Sequence, residues 1–242
     1  MLRRNRIENN LKRGAIDVRI LNRVENKQLT KGVQRHFYKI EPATIGQYLH
    51  YGFMNPRIHS MFQDVKIVGT AFTVRTNTND SAMVHKAVSL AEEGDVIIIE
   101  RMGDGIHACV GEIVVYAAVS RKVAGIIVDG PCTDIQAIRE IKLPVFASGL
   151  SPLTTKQYGI SGEINTIVQC GDVTVHPGDL IVADDNGVLV LPQHVDYEKI
   201  LQHAEKSEKN ELTIKKQLNK GTPLNSIVLA DPFHKNFYIR GG

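Results

Sequence analysis

Two rhythms of apolar residues alternate through the middle of the chain. Residues 65–75 switch sides often enough to read as a strand, with Gly69 inside it as a candidate bulge. Residues 81–92 carry Met83, Ala87, Val88 and Ala91 on one helical face, and Asn77, Thr78, Asn79, Asp80 and Ser81 form a turn and N-cap cluster ahead of them. Gly94 and Asp95 lead into a continuous apolar strand over residues 96–100. A glycine-rich loop, residues 102–107, separates it from a helix over 112–122. A second apolar run, residues 123–128, predicts a buried strand over 124–128 that stops at Asp129, Gly130 and Pro131. A short helix over 134–141 and a strand over 144–147 follow. The order β-α-β-α-β-α-β predicts an α/β fold, a parallel or mixed sheet with crossover helices.

After Ser151 the pattern changes. Short runs at residues 164–168, 173–175, 180–184 and 188–191, separated by Gly and Pro turns, predict an antiparallel β layer. A long amphipathic helix over 196–218 follows, with Ile200, Leu201, Ala204, Leu212, Ile214 and Leu218 as its stripe, and a tail over 222–242. Near the start, residues 43–51 read as a helix stopped by Gly52, Phe53, Met54, Asn55 and Pro56. Residues 1–40 are polar and mixed, with weak periodicity.

A chain of 242 residues that is 43% hydrophobic can bury a sizeable core, as one large domain or two small ones. The elements interleave without a linker or repeat, so residues 41–242 read as a single domain and residues 1–40 as a basic N-terminal extension. Net charge is +3 and the signs alternate along most of the chain, which gives no footprint for nucleic acid. The exception is an arm holding Arg3, Arg4, Arg6, Lys12, Arg13, Arg19 and Arg23. It suits RNA or an acidic partner, or reads as a solvated tail. Glu8, Asp17 and Glu25 interrupt it, against a transit peptide. Neither a secretory apolar segment nor a run of membrane-spanning length is present, so no membrane partner is expected. Cys109, Cys132 and Cys170 follow no zinc or CxxC spacing. A reducing cytoplasm is the expected compartment.

Two segments carry the candidate chemistry. Gly111-Glu112-Ile113-Val114-Val115-Tyr116-Ala117-Ala118 reads as a helix start, with Gly111 and the amides before it placed to hold an anion. Asp129-Gly130-Pro131-Cys132-Thr133-Asp134 presents a carboxylate at the carboxyl end of a strand, where ligands of α/β proteins sit. Together they are the parts needed to hold a metal and a small carboxylic acid side by side. Each has a plainer reading. Asp134 is placed to cap the helix after it, and Glu112 is an acid that the helix dipole favours. Cys109 and Cys132 either line the site or are small buried residues. His107 suits a proton donor or a carboxylate contact, or is a partly exposed loop histidine, and Asp104 shares that status. His85 reads as structural, and Asp184 and Asp185 as turn residues before Asn186-Gly187.

Residues 175–192, from Val175 and His176 through Pro177-Gly178-Asp179, Asp184, Gly187-Val188 and Pro192, resemble the PGDxxxxDxxGVxxxP signature of the RraA-like family. The segment Gly69-Thr70-Ala71-Phe72-Thr73-Val74-Arg75 fits the same family, as do Gly94-Asp95-Val96, Gly111-Glu112, Ala124-Gly125, Asp129-Gly130 and Asp134. So do Pro144-Val145-Phe146-Ala147, Gly149 and Ser151-Pro152, in order and at suitable spacing. The family includes 4-hydroxy-4-methyl-2-oxoglutarate aldolases, and proteins once labelled menaquinone methyltransferases although it holds no S-adenosylmethionine site. The resemblance implies a three-layer β/β/α fold like a swivelling phosphohistidine domain, assembled as a homotrimer or homohexamer. It also implies a lyase using Mg2+ or Mn2+ on a small 2-oxo acid, by aldol cleavage to pyruvate or by decarboxylation of an oxaloacetate-like compound. Such an ion polarises the oxo group, prefers oxygen ligands and keeps several waters.

Carried onto this sequence, the family's DGxxRD motif makes Asp134 the direct metal ligand. Its Gly-Asp/Glu pair makes Glu112 a second ligand acting through water. Backbone amides ahead of the helix, His107 to Val110, receive the substrate carboxylate, so Ala108, Cys109, Val110 and Gly111 are the implied binding residues. Family aldolases also draw an acid from a neighbouring C-terminal helix, for which Glu205, Glu208 and Glu211 are candidates. The chain departs from DGxxRD by placing Thr133 where the motif has arginine. Losing that charged donor costs about 3 kcal/mol of transition-state stabilisation, roughly a hundredfold in rate. Arg101 and Arg75 are the candidates to fill the gap. One branch of the family inhibits an RNA-degrading endonuclease by protein contact, so a non-catalytic binding protein is the alternative function.

Overall fold

The computed structural model describes residues 17–230. Its elements in chain order are β1 (Asp17–Ile20), α1 (Lys31–Lys39), α2 (Pro42–Gly46), β2 (His59–Ser60), β3 (Lys66–Thr76), α3 (Ala82–Leu90), β4 (Asp95–Glu100), α4 (Glu112–Ser120), β5 (Gly125–Val128), α5 (Ile135–Ile141) and β6 (Val145–Ala147). They continue with β7 (Ser161–Ile164), β8 (Val168–Cys170), β9 (Val173–Val175), β10 (Leu180–Asp184), β11 (Gly187–Leu191), α6 (Tyr197–Leu218) and α7 (Leu224–Ala230). β3, β4, β5 and β6 pair in parallel with α3, α4 and α5 as their crossovers, which is the order read from the sequence.

The unbroken apolar runs of β4 and β5 follow from burial on both faces. Val74, Ile97, Ile99, Ile126 and Val128 pack under α3, α4 and α5 against Val84, Ala87, Val115, Ala118 and Ile138. On the opposite face Ala71, Val96, Ile98, Ile127 and Phe146 meet Val168, Cys170 and Val175, and Ile181, Ala183, Val188 and Val190. This is the expected β/β/α layering. A further layer lies beyond it. Leu180, Val182, Leu189 and Leu191 point to the other side of β10 and β11, where Phe37, Ile45, Tyr197, Ile200 and Leu201 of α1, α2 and α6 cover them.

β3 joins the two halves. Its first residues, Lys66 to Thr70, pair antiparallel with β10, while Thr70 to Arg75 pair parallel with β4. The register is continuous through Gly69, opposite Ile181, so Gly69 forms no bulge. Its missing side chain instead leaves room for the Gly94 carbonyl and Val96. The strand expected over 164–168 is divided between β7 and β8 because Asn165 adopts a left-handed φ of 57°. The helix expected over 43–51 is shortened to α2 and a following turn.

Residues 17–40, the latter part of the basic extension, are stitched to the domain. β1 pairs in parallel with β7. Arg23 clasps both oxygens of Asp95, with Nη1–Oδ2 at 2.9 Å, and lies 5.6 Å over the Phe72 ring. Asn26 donates to the Gly178 carbonyl and the Tyr197 hydroxyl, both at 2.9 Å. Arg3, Arg4, Arg6, Lys12, Arg13 and the tail from residue 231 lie outside the described residues. Among the described residues no helix is long and apolar enough to cross a membrane.

Arg23→Ala tests this strap. Asp95 is 1% exposed and would keep only the Glu92 amide at 2.8 Å on its carboxylate. The expected loss is about 2 kcal/mol, a melting temperature lower by roughly 4–8 °C. Unchanged thermal unfolding would mean that the ion pair adds nothing to stability.

Candidate metal and carboxylate site

Isolated parallel bridges Ala108–Thr154, Val110–Cys132 and Cys132–Leu150 lay the two segments singled out above side by side, beyond the carboxyl ends of β4 and β5. The corner between β5 and Cys132 is clamped at its first residue. Arg57 Nη2 lies 2.9 Å from each oxygen of Asp129, and the Gly171 amide donates to the same carboxylate at 3.0 Å.

Asp134 closes the corner in a left-handed conformation, φ 56° and ψ 41°, at a cost of about 1–2 kcal/mol for a residue with a Cβ. Its side chain makes no capping bond to α5. Oδ2 instead accepts from the Glu112 amide at 3.0 Å, and Oδ1 accepts from the Thr133 hydroxyl at 3.3 Å. The capping alternative is therefore excluded, because the carboxylate turns away from its own helix and toward the start of α4. Gly111 permits this approach. A Cβ there would stand 2.6 Å from Asp134 Oδ2 and 2.7 Å from Thr133 Cγ2. Asp134 is exposed, and both its hydrogen bonds come from neutral donors.

The first turn of α4 sets where an anion can bind. The Glu112 amide faces Asp134, and the Val115 amide donates to the Gly111 carbonyl. Ile113 and Val114 lie between them and have no intrahelical acceptor. The sequence reading placed the substrate carboxylate earlier, on the amides from His107 to Val110. The Ala108 amide is already committed to the Leu153 carbonyl at 2.8 Å, and the side chains of Ala108, Cys109 and Val110 are buried. Ile113 and Val114 were not named as anion donors from the sequence, although a helix's unpaired amides follow its N-cap. Glu112 projects from the same turn and is exposed.

Neither arginine considered for the gap at Thr133 bonds to the corner. Arg75 donates to Glu100 at 2.8 Å, Glu163 at 2.6 Å and the Ile167 carbonyl at 2.7 Å. Arg101 is buried and uses Nη2 on Asp104, the Thr78 carbonyl and the His107 carbonyl, while its Nε and Nη1 have no hydrogen-bond partner. His107 Nδ1 lies 2.9 Å from Asp104 Oδ2, and Asp104 Oδ1 accepts from the amides of Ile106 and His107 at 2.8 and 3.1 Å. Burial works against the Asp104 charge, yet those amides, the His107 ring and Arg101 together hold its carboxyl below the usual range. Burial pushes the Cys109 thiol up against the pull of Arg101, and pushes Cys132 up to about 11. Both thiols are buried, and burial favours their neutral form, as in small packing residues.

Among the described residues no three His, Cys, Asp or Glu side chains gather into a metal cage. The donors at the corner are oxygen only, one carboxylate in place and a second beside it. That set fits a hard ion that retains its waters, such as Mg2+, and does not fit zinc.

Residues 43–190 match the RraA-like family model, described as Aldolase/RraA. A protein of Halalkalibacterium halodurans, provisionally named 4-hydroxy-4-methyl-2-oxoglutarate aldolase, is 38% identical over 151 residues, covering 62% of this chain and 71% of that one. An uncharacterized protein of Methanocaldococcus jannaschii is 32% identical over 174 residues, 71% of this chain and 82% of the other. Among solved structures, Streptomyces coelicolor RraAS2, described as an unusual member of the RNase ES inhibitor RraA family, aligns with a TM-score of 0.69 at 23% identity, over 78% of this chain and 98% of that one. An uncharacterized Pseudomonas syringae protein aligns with a TM-score of 0.72 at 21% identity, over 87% and 98%. These two likenesses establish the fold, and the family match spans the strands, corner and helix that build the site. The chain belongs to the RraA-like family.

Proposed function

We propose that this protein is a divalent-metal-dependent lyase acting on a small 2-oxo acid, by aldol cleavage that releases pyruvate or by decarboxylation of an oxaloacetate-type compound. The reading rests on one contact, the Asp134 carboxylate at 3.0 Å from the first amide of α4. It puts an open anionic ligand and a helix start within one substrate's reach. In this reading Asp134 holds Mg2+ or Mn2+ directly and Glu112 does so through water. When bound, the ion offsets the negative charge that develops on the oxo group. The amides of Ile113 and Val114 orient the substrate carboxylate, and Thr133 keeps Asp134 in position through its hydroxyl. Thr133 brings no charge, so turnover of 4-hydroxy-4-methyl-2-oxoglutarate is expected to be weak.

Thr133 is also the observation that favours a second reading, a non-catalytic oligomeric binding protein that regulates an RNA-processing enzyme. Both readings draw on an apolar outer surface at the site. Ile113 is 74% and Tyr116 68% exposed on α4, and Leu150 and Leu153 are exposed on the chain that follows β6. That surface supports assembly as a homotrimer or homohexamer.

Calorimetric titration with Mg2+ separates the readings. Asp134→Ala is expected to weaken binding at least tenfold, and Gly111→Ala, whose new Cβ displaces the carboxylate, to weaken it severalfold. Wild-type protein without Mg2+ affinity would overturn the lyase reading. Pyruvate release from 4-hydroxy-4-methyl-2-oxoglutarate tests the missing charge. Thr133→Arg should raise it by up to about a hundredfold, and removing the ion with EDTA should abolish it. Robust wild-type turnover would refute the role given to Thr133.

A further inference from the structure

Arg101, Asp104 and His107 form a cluster that the metal-binding corner does not use. They sit where the chain leaves β4 and runs back toward Gly111. Their burial is graded: the Arg101 side chain is 0% exposed, Asp104 5% and His107 28%. Asp104 Oδ2 is shared by Arg101 Nη2 at 3.0 Å and His107 Nδ1 at 2.9 Å, while its Oδ1 is fixed by two backbone amides. A carboxylate can only accept here, so Nδ1 carries the hydrogen of the neutral ring and Nε2 is left with a lone pair. With Nδ1 turned to the buried acid, the Nε2 edge is the part of the ring directed away from the cluster.

We propose that His107 is the proton-transfer residue of this site, with Asp104 and Arg101 as positioning residues behind it. The inference rests on the lyase reading above. Ala108 and Val110 both sit in parallel bridges, and four residues of chain reach at most about 3.3 Å each, so His107 lies no more than roughly 13 Å from Gly111, on which the Asp134 carboxylate rests. An imidazole and a short oxo acid span that interval together. In aldol cleavage Nε2 takes the proton of the substrate's C4 hydroxyl. The freed O–H electron pair forms the new C4 carbonyl, and the C3–C4 bonding pair moves into the enolate of the pyruvate fragment. His107 then returns the same proton to C3, so the cycle balances with no net proton. Arg101 neutralises Asp104 from the far side, and its guanidinium charge opposes transfer of the proton onward to that acid.

The reverse of the last step can be watched without the full substrate, as exchange of the pyruvate methyl protons with D2O in the presence of Mg2+, followed by proton NMR. His107→Gln should lower exchange at least a hundredfold while leaving Mg2+ affinity and melting temperature unchanged. Asp104→Asn should lower it about tenfold and alter its pH profile, and free imidazole should restore part of the activity of His107→Ala. Nitrogen-15 NMR of the ring adds a readout independent of turnover: a protonated Nδ1 and bare Nε2 in the wild type, mixed tautomers in Asp104→Asn. Exchange at the wild-type rate in His107→Gln, or a proton resident on Nε2 in the neutral wild-type ring, would overturn the proposal. Protein that binds Mg2+ but leaves pyruvate unexchanged overturns this inference alone, whereas absence of Mg2+ affinity overturns the lyase reading itself.

Discussion

Gly111 has no side chain, and the candidate site depends on that gap. Two chain segments that are not neighbours in sequence cross there, one ending β5 and one opening α4. The crossing is close enough that a single added carbon would stand 2.6 Å from the Asp134 carboxylate. The backbone conformation of Gly111 is extended, φ −148°, so nothing about its torsion calls for glycine. Space alone does. With the gap present, Asp134 reaches the first amide of a neighbouring helix while its own backbone is held in a left-handed conformation. Unfavourable torsion at an exposed acid persists only when surrounding contacts over-determine it. Here they are the clamped Asp129, the Val110–Cys132 bridge and the Thr133 amide bonded to the Val110 carbonyl at 2.9 Å.

The acids of the domain divide into two kinds. Asp80, Asp95 and Asp179 are buried and saturated. Asp80 accepts from three amides, Asp95 from Arg23 and the Glu92 amide, and Asp179 from the amides of His176 and Gln193. Removing water from such groups is tolerable only with this many donors. Asp134 is different in both respects. It is exposed and takes one amide and one hydroxyl, each neutral, so its charge is left for something outside the fold. Arg57, the cation that clamps the first residue of the corner, is already spent on Asp129 and Asp172.

Much of this was legible in the sequence because local pattern and tertiary environment agree. β4 and β5 are continuous apolar runs, and continuous runs are what a sheet covered on both faces requires. Asp196 stands one residue before α6 and its side chain does accept from the Lys199 amide. Asp134 looks the same in sequence, an acid one residue before a helix, and behaves differently, because the choice of partner was made by a glycine more than twenty positions earlier. Asn165 broke an apolar run by its torsion, not by its polarity. Arg101 was the least readable. From the sequence this strand-end arginine is a candidate to fill the gap at Thr133, yet it is buried and turned instead to the loop that returns through Asp104 and His107.

Thr133 and Arg101 together describe where positive charge sits. A guanidinium at position 133 would stand beside Asp134 and compete with a bound cation for it. A pair of unit charges 4 Å apart interacts by about 1 kcal/mol in water and about 4 kcal/mol near a protein surface, so the competition is not small. Threonine removes it and leaves the corner more anionic, which favours cation binding and disfavours the charge that develops on a substrate. Arg101 cannot restore that charge from its present place, because Asp104 already balances it. What the buried pair does supply is an imidazole with a fixed orientation and a fixed tautomer. In the reading proposed above, the ion supplies charge and His107 moves the proton, a division of labour that fits the places of Arg75, Arg101 and Thr133.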